Sequence, residues 1–234
     1  MNDEDIKKYC DWIEKEYLNM FGDLLQRTRM RVYTHPSQIR DLLDNPEFQY
    51  KENARDILEE VENNPDRGRG FNFPTEGFSV LYFPEAKNIE QMAEEIFHAM
   101  SGLEAYTEET FVPLPTYLIC LRAKEKGVLN ASLKEIVEDC IGTGEFTENR
   151  YKFPKDQVPE NYRGRETTAA LLEHLTTSGP QIDTQKQIEL ARNIYEMILR
   201  GENAEEAIKK ELQMLKNPKK SRNKSLIDKI KNVF

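Results

Sequence analysis

The sequence is poor in the residues that most often announce a chemistry. Its three cysteines, Cys10, Cys120 and Cys140, stand far apart in 234 residues and form no C-x-x-C pair. An odd number at that spacing argues against both a disulfide framework and a structural zinc site. Each lies in an apolar helical pattern, where a free cysteine serves as a small hydrophobe. The three histidines, His35, His98 and His174, are scattered, and no H-E-x-x-H, G-x-S-x-G, Walker or G-x-G-x-x-G motif occurs. Gly68-x-Gly70 and Gly142-x-Gly144 are too short to be phosphate loops. No metal and no cofactor is therefore expected. No apolar run approaches the about 20 residues of a membrane span. The opening Met1-Asn2-Asp3-Glu4-Asp5 is too acidic for a signal peptide, so a cytoplasmic location is expected.

What is present is a core and a charge division. Hydrophobic residues make up 38% of the chain and charged residues 32%, with 11 Phe, 10 Tyr and 1 Trp spread along it. That supply of aromatic area supports a packed core under a heavily charged surface. The formal net charge of −9 is unevenly shared. Residues 216–234 hold seven basic side chains and a single acid, Asp228, a balance of +6, which leaves −15 for residues 1–215. An acidic body repels phosphate at long range, so contact with an anionic partner falls to the tail.

Hydrophobic spacing sets the fold class as α+β and predominantly helical. A small N-terminal α+β unit with a β-hairpin is expected to precede a helical C-terminal unit. Residues 3–26 read as a helix with Ile6, Tyr9, Ile13, Tyr17, Met20, Phe21 and Leu24 on one face. A short strand follows at 30–34, then helices at 37–43, 51–61 and 89–101. Phe71, Phe73, Phe78, Val80, Leu81, Tyr82 and Phe83 flank Pro74-Thr75-Glu76-Gly77, the pattern of a hairpin. Pro74 cannot donate a ladder hydrogen bond, which places the first hairpin strand at an edge or keeps it short. Further helices are predicted at 116–126, 132–140, 166–176, 184–200 and 204–215. The expected organisation is an α+β unit (1–112), a helix pair (113–144), a loop or linker (145–165), a helical unit (166–215) and a basic amphipathic tail (216–234).

Four constellations carry the functional expectations. In 117–140, Ala123 and Gly127 have the spacing of a helix-turn-helix, but Glu135, Glu138 and Asp139 outweigh Lys134 on the second helix, the wrong balance for a DNA groove. Arg69-Gly70-Phe71-Asn72-Phe73 resembles the start of the aromatic strand motif of RNA-recognition domains, over five residues that stop at Pro74. With Arg67 it marks Arg67, Arg69, Phe71 and Phe73 as a nucleic-acid-binding set; the alternative reading is a hairpin whose rings face the core. Glu95-x-x-His98 supplies half of a carboxylate–histidine metal face, and no second copy exists. Last, Leu226, Ile230, Val233 and Phe234 share one face of a short helix after Lys219, Lys220, Arg222 and Lys224. About ten residues do not hold a helix alone in water, so this face needs the parent body or a partner groove. The segment resembles terminal peptides by which replication and transcription factors hold sliding clamps or polymerases.

The leading expectation is a non-enzymatic accessory or adaptor protein that docks onto a larger assembly, replicative or transcriptional, through this tail, with a protein as the partner. The alternatives are a single-stranded nucleic-acid-binding protein and an enzyme with a dispersed active site.

Overall fold

Ten α-helices and three strands are found among the residues that the computed structural model describes, which are 3–44, 51–65, 68–73, 78–84, 89–103, 105–141, 164–177 and 183–217. The fold is a predominantly helical α+β fold. The elements are α1 (Asp3–Phe21), β1 (Arg29–Tyr33), α2 (Pro36–Asp44), α3 (Lys51–Asn63), β2 (Arg69–Phe73), β3 (Phe78–Tyr82), α4 (Ile89–Ser101), α5 (Ala105–Phe111), α6 (Pro113–Glu125), α7 (Leu133–Ile141), α8 (Arg165–Thr177), α9 (Thr184–Leu199) and α10 (Ala204–Lys216). The segment 145–163, most of the expected linker, and residues 218–234 of the tail lie outside the described residues.

The chain divides into two compact units, each built from two stretches. One comprises Met1–Glu104 and Pro115–Ser132, the other Ala105–Leu114 and Leu133–Phe234. In the first unit β3 is the middle strand, parallel to β1 and antiparallel to β2. Its alternating side chains feed two cores. Val80 and Tyr82 pack with Ile39 and Leu42 of α2 and Ile57 and Val61 of α3, and Tyr33, Leu58, Phe71 and Phe78 close over them. Leu81, Ser79 and the adjoining Phe83 are buried as well. On that second face lies α4, which packs on β2 and β3 and in turn against α1. The close approach explains the Gly68-x-Gly70 pair: a Cβ on Gly70 would stand 2.8 Å from Glu95 Oε2, and one on Gly68 would stand 3.0 Å from Gln91 Cδ. Gln91 Nε2 donates to the Gly68 carbonyl at 2.9 Å.

The α1–α4 seam is aromatic. Tyr17 and Phe21 meet Phe97 edge-on at 5.3 and 5.7 Å between centroids, and the Tyr17 hydroxyl donates to the Ala93 carbonyl. Such ring pairs add about 0.5–1.5 kcal/mol each beyond their buried area. α1 ends earlier than its hydrophobic period suggests, because the backbone at Gly22 takes a φ of 58° and a 3-10 turn follows. Trp12 ties α1 to the residue after α6: the Lys126 ammonium lies 5.0 Å from the indole centroid and bonds Glu16 at 2.6 Å, while Trp12 Nε1 donates to the same carboxylate. α6 starts three residues before the expected position. Pro113 and Pro115 sit in its first turn, where an amide N–H has no helical acceptor and proline costs nothing.

In the second unit α8 packs against α5, α7 and α10, and α10 against α9 and α5. The rings of Phe111 and Tyr195 stack at 5.3 Å with 5° between planes. Arg165 is buried and forms an ion pair with Glu109, and the Thr168 hydroxyl donates to the Thr110 carbonyl. Side chains cap both later helices. Asp183 accepts from the Lys186 N–H at the start of α9, and Asn203 from the Glu206 N–H at the start of α10.

Two predictions follow from these contacts. A Cβ at Gly164 would fall 2.0 Å from Oγ1 of the fully buried Thr110 and 2.7 Å from its Cγ2. Gly164→Ala is expected to cost about 1–3 kcal/mol in chemical denaturation. The Asp183 carboxyl is held below its ordinary range, first by the Lys186 backbone N–H and then by the Lys186 side chain. A depressed carboxyl stabilises the fold above its unfolded value and ceases to do so as pH falls through its folded one. Asp183→Asn keeps the accepting oxygen and removes the titration, so the fall in melting temperature between neutral and acid pH should be smaller in the variant than in the parent.

Candidate interaction surfaces

The arginines of the first unit fall into two physical classes. Arg69 is 6% exposed, and its guanidinium bonds the Glu60 carboxylate of α3 and the Asn64 carbonyl. The register that sets Arg69 opposite Tyr82 and Phe71 opposite Val80 turns both side chains toward the α2–α3 core. Arg69 is thus a buried guanidinium paired with an exposed carboxylate, and Phe71 is half-buried against that core. Of the same expected set, Arg67 lies outside the described residues. Phe73 is placed in β2 by its backbone, and its side chain is outside them.

The second class is exposed. From Leu24 through Arg40 there are four arginines and no Asp or Glu, within a body of −15. Arg27, Arg29 and Arg31 are exposed at every second position, while Thr28, Met30 and Val32 between them are half-buried. Arg29 and Arg31 lie in β1, whose period puts them on one face, and Arg27 precedes the strand by two residues. None of the three has a carboxylate within ion-pair distance among the described residues. The Arg31 guanidinium instead lies 5.8 Å from the Phe78 ring centroid. β1 is the outer strand of the sheet, with no strand on its other side among the described residues. Beside it is a cavity of about 340 Å³ lined by Lys7, Arg31, Val32, Tyr33, Gln38, Asp41 and Leu42. Consecutive residues of a strand point to opposite faces, yet Arg31, Val32 and Tyr33 all line this space. The cavity therefore lies along the edge of β1 and not over one face of the sheet. Gln38 closes the end of the strand, its Oε1 accepting from the backbone N–H of Thr34 at 2.7 Å and of His35 at 3.2 Å.

These arginines belong to no aromatic or histidine motif, so sequence reasoning missed them. The signal that identifies them is alternation of one charge through an acid-free window.

Ala123 is fully buried, and Gly127 is required by its φ of 71° and not by close packing, since a Cβ there would meet nothing within 4 Å. α7 belongs to the second compact unit and α6 from Pro115 onward to the first. Glu135, Glu138 and Asp139 are exposed on α7. His98 is half-buried on α4. All three cysteines are free and buried, and burial, reinforced by Asp11, pushes the Cys10 thiol up to about 12. Burial also raises the carboxyls of Glu14, beside Asp11, and Glu211. The tail set, Lys219, Lys220, Arg222, Lys224, Leu226, Ile230, Val233 and Phe234, lies outside the described residues. Its neighbour Lys216 is the exposed last residue of α10, and Asn217 caps that helix. No described helix is long and apolar enough to cross a membrane.

Compared with known proteins, the chain matches no family model, no curated protein and no solved structure.

The two classes of arginine are separable by experiment. Arg69→Ala leaves the Asn64 carbonyl and Glu60 without their buried donor and should cost about 1–3 kcal/mol in urea denaturation. Arg29→Ala, at an exposed site, should stay within about 0.5 kcal/mol of the parent.

Proposed function

We propose that this protein is a non-enzymatic accessory or adaptor protein, with an acidic helical body held to a larger assembly through the basic amphipathic segment 216–234. The observation that carries the reading is the charge division between a body of −15 and a segment of +6 that also repeats apolar residues at helical spacing. Leu226, Ile230, Val233 and Phe234 form the apolar stripe, and Lys219, Lys220, Arg222 and Lys224 supply attraction to an acidic groove. A segment this short gains a stable helix only with the surface that binds it. The described helix before it, α10, ends at a cap on Asn217.

The charged groups described so far fit this role better than a catalytic one. Arg69 and Arg165 are paired with carboxylates of the chain itself. The shifted carboxyls of Glu14 and Glu211 owe their shifts to burial on separate helices, not to convergence in one cleft. A replicative or transcriptional machine is the kind of partner that the tail's resemblance implies.

Removal of residues 217–234 should abolish recovery of the partner from a lysate of the source cells, while circular dichroism and the melting temperature of the body stay unchanged. The substitutions Leu226→Ala, Ile230→Ala and Phe234→Ala combined should reproduce the loss with every charge kept. Undiminished recovery by either variant would refute the docking role.

A further inference from the structure

The outer edge of β1 is the second surface on the body with a definable ligand. Edge strands present main-chain N–H and C=O groups that can pair with another chain, and proteins often cover or blunt them. β1 has neither a neighbouring strand among the described residues nor a filled flank, since an open cavity runs along it between Lys7 of α1 and Gln38 and Asp41 of α2. Its exposed side chains are Arg29 and Arg31, with the exposed Arg27 two residues before it, in a chain whose body is otherwise acidic.

We propose that this edge receives an extended segment of a partner protein, paired as a fourth strand and bearing acidic side chains at alternate positions. Two independent features match such a ligand. The open edge offers main-chain pairing to any extended peptide. Arg29 and Arg31 stand at the about 7 Å spacing of alternate residues in a strand, so a paired strand with carboxylates in the same period meets both directly, and Arg27 adds positive charge just before them. Opposite charges facing each other across a strand pair contribute about 0.2–1 kcal/mol each. Lys7 and Arg31 lie on the cavity wall, and the adjoining Val32, Tyr33 and Leu42 offer apolar contact to the side chains between the acids.

A nucleic-acid strand is the competing occupant, because arginines also bind phosphate. Two observations favour the peptide. Long-range repulsion from a body of −15 grows with the charge of the ligand, so it opposes a polyphosphate more than a peptide with two or three acids. The described rings of this face, Tyr33, Phe71 and Phe78, are all half-buried and packed against the α2–α3 core, and Arg31 already lies by Phe78, so none of them stands exposed as a stacking platform. The proposal stands apart from the role of the tail, and the test below separates the two.

The test uses the full-length protein and fluorescein-labelled peptides of about ten residues, a strand's length. One carries Glu at alternate positions with Val and Thr between. A second has the same composition with the Glu residues grouped at one end. A third is the first with alternate backbone amides N-methylated. The alternating peptide should bind at low salt. The grouped and N-methylated peptides should bind at least about tenfold more weakly, as expected for the loss of more than one pairing contact. The triple substitution R27E/R29E/R31E should abolish binding, and R27K/R29K/R31K should keep it. A peptide held by the cationic tail would be indifferent to the charge reversal, and that indifference would overturn the proposal. Equal binding of all three peptides, no binding of the alternating one, or tighter binding of single-stranded oligothymidylate would overturn it too. If the charge-reversed chain fails to fold by circular dichroism, the comparison of the three peptides on the parent protein still decides.

Discussion

Burial of β3 on both faces is the constraint from which the first unit follows. A strand whose alternate side chains are Val80, Tyr82 on one side and Ser79, Leu81 on the other cannot leave either face in water. One face demands α2 and α3, the other demands α4, and α4 in turn needs α1 and its aromatic seam. Glycines at 68 and 70 are the local consequence, since β2 must let a helix lie close against it. A central strand so enclosed needs neighbours on both edges, and these are β1 and β2. The constraint stops there. It says nothing about the outer side of β1, where, among the described residues, an edge without a neighbouring strand, free space and cationic side chains without a carboxylate partner coincide.

The same logic sorts the charges. A guanidinium taken out of water must be given an anion and hydrogen-bond acceptors, and Arg69 and Arg165 have both. These are costs of packing, met inside the molecule. Arg27, Arg29 and Arg31 carry no such obligation. They are exposed, and Arg29 and Arg31 share a face because a strand repeats every second residue. A cluster that folding does not require is the better candidate for recognition.

Much of the architecture was legible in the sequence because it rests on local periodicity. The helix at 89–101 is found with the expected bounds, and the hairpin is present, with β2 at an edge as Pro74 requires. Non-local choices were not legible. Nothing in Arg29–Tyr33 says that its neighbour will be β3 in parallel register, because the pairing is decided by which faces α2, α3 and α4 cover. The short α5 lacked a long enough period to be recognised, and the prolines that seem to delay α6 are inside its first turn. Arg69 illustrates the limit at single-residue level. Flanked by Gly68, Gly70 and Phe71 it reads as a surface cation, and only the tertiary position of Glu60 shows that it is internal. The alternation of Arg27, Arg29 and Arg31 was visible in the letters, but its meaning depends on β1 being the outer strand.

Native-state hydrogen exchange resolved to single residues tests the central claim, an enclosed β3 beside an open β1. Val80, Leu81 and Tyr82 amides should exchange only through global unfolding, and at least every second amide from Arg29 to Tyr33 should exchange orders of magnitude faster. Uniform protection of β1 at the level of β3 would mean that its outer edge is already covered, and would contradict the account.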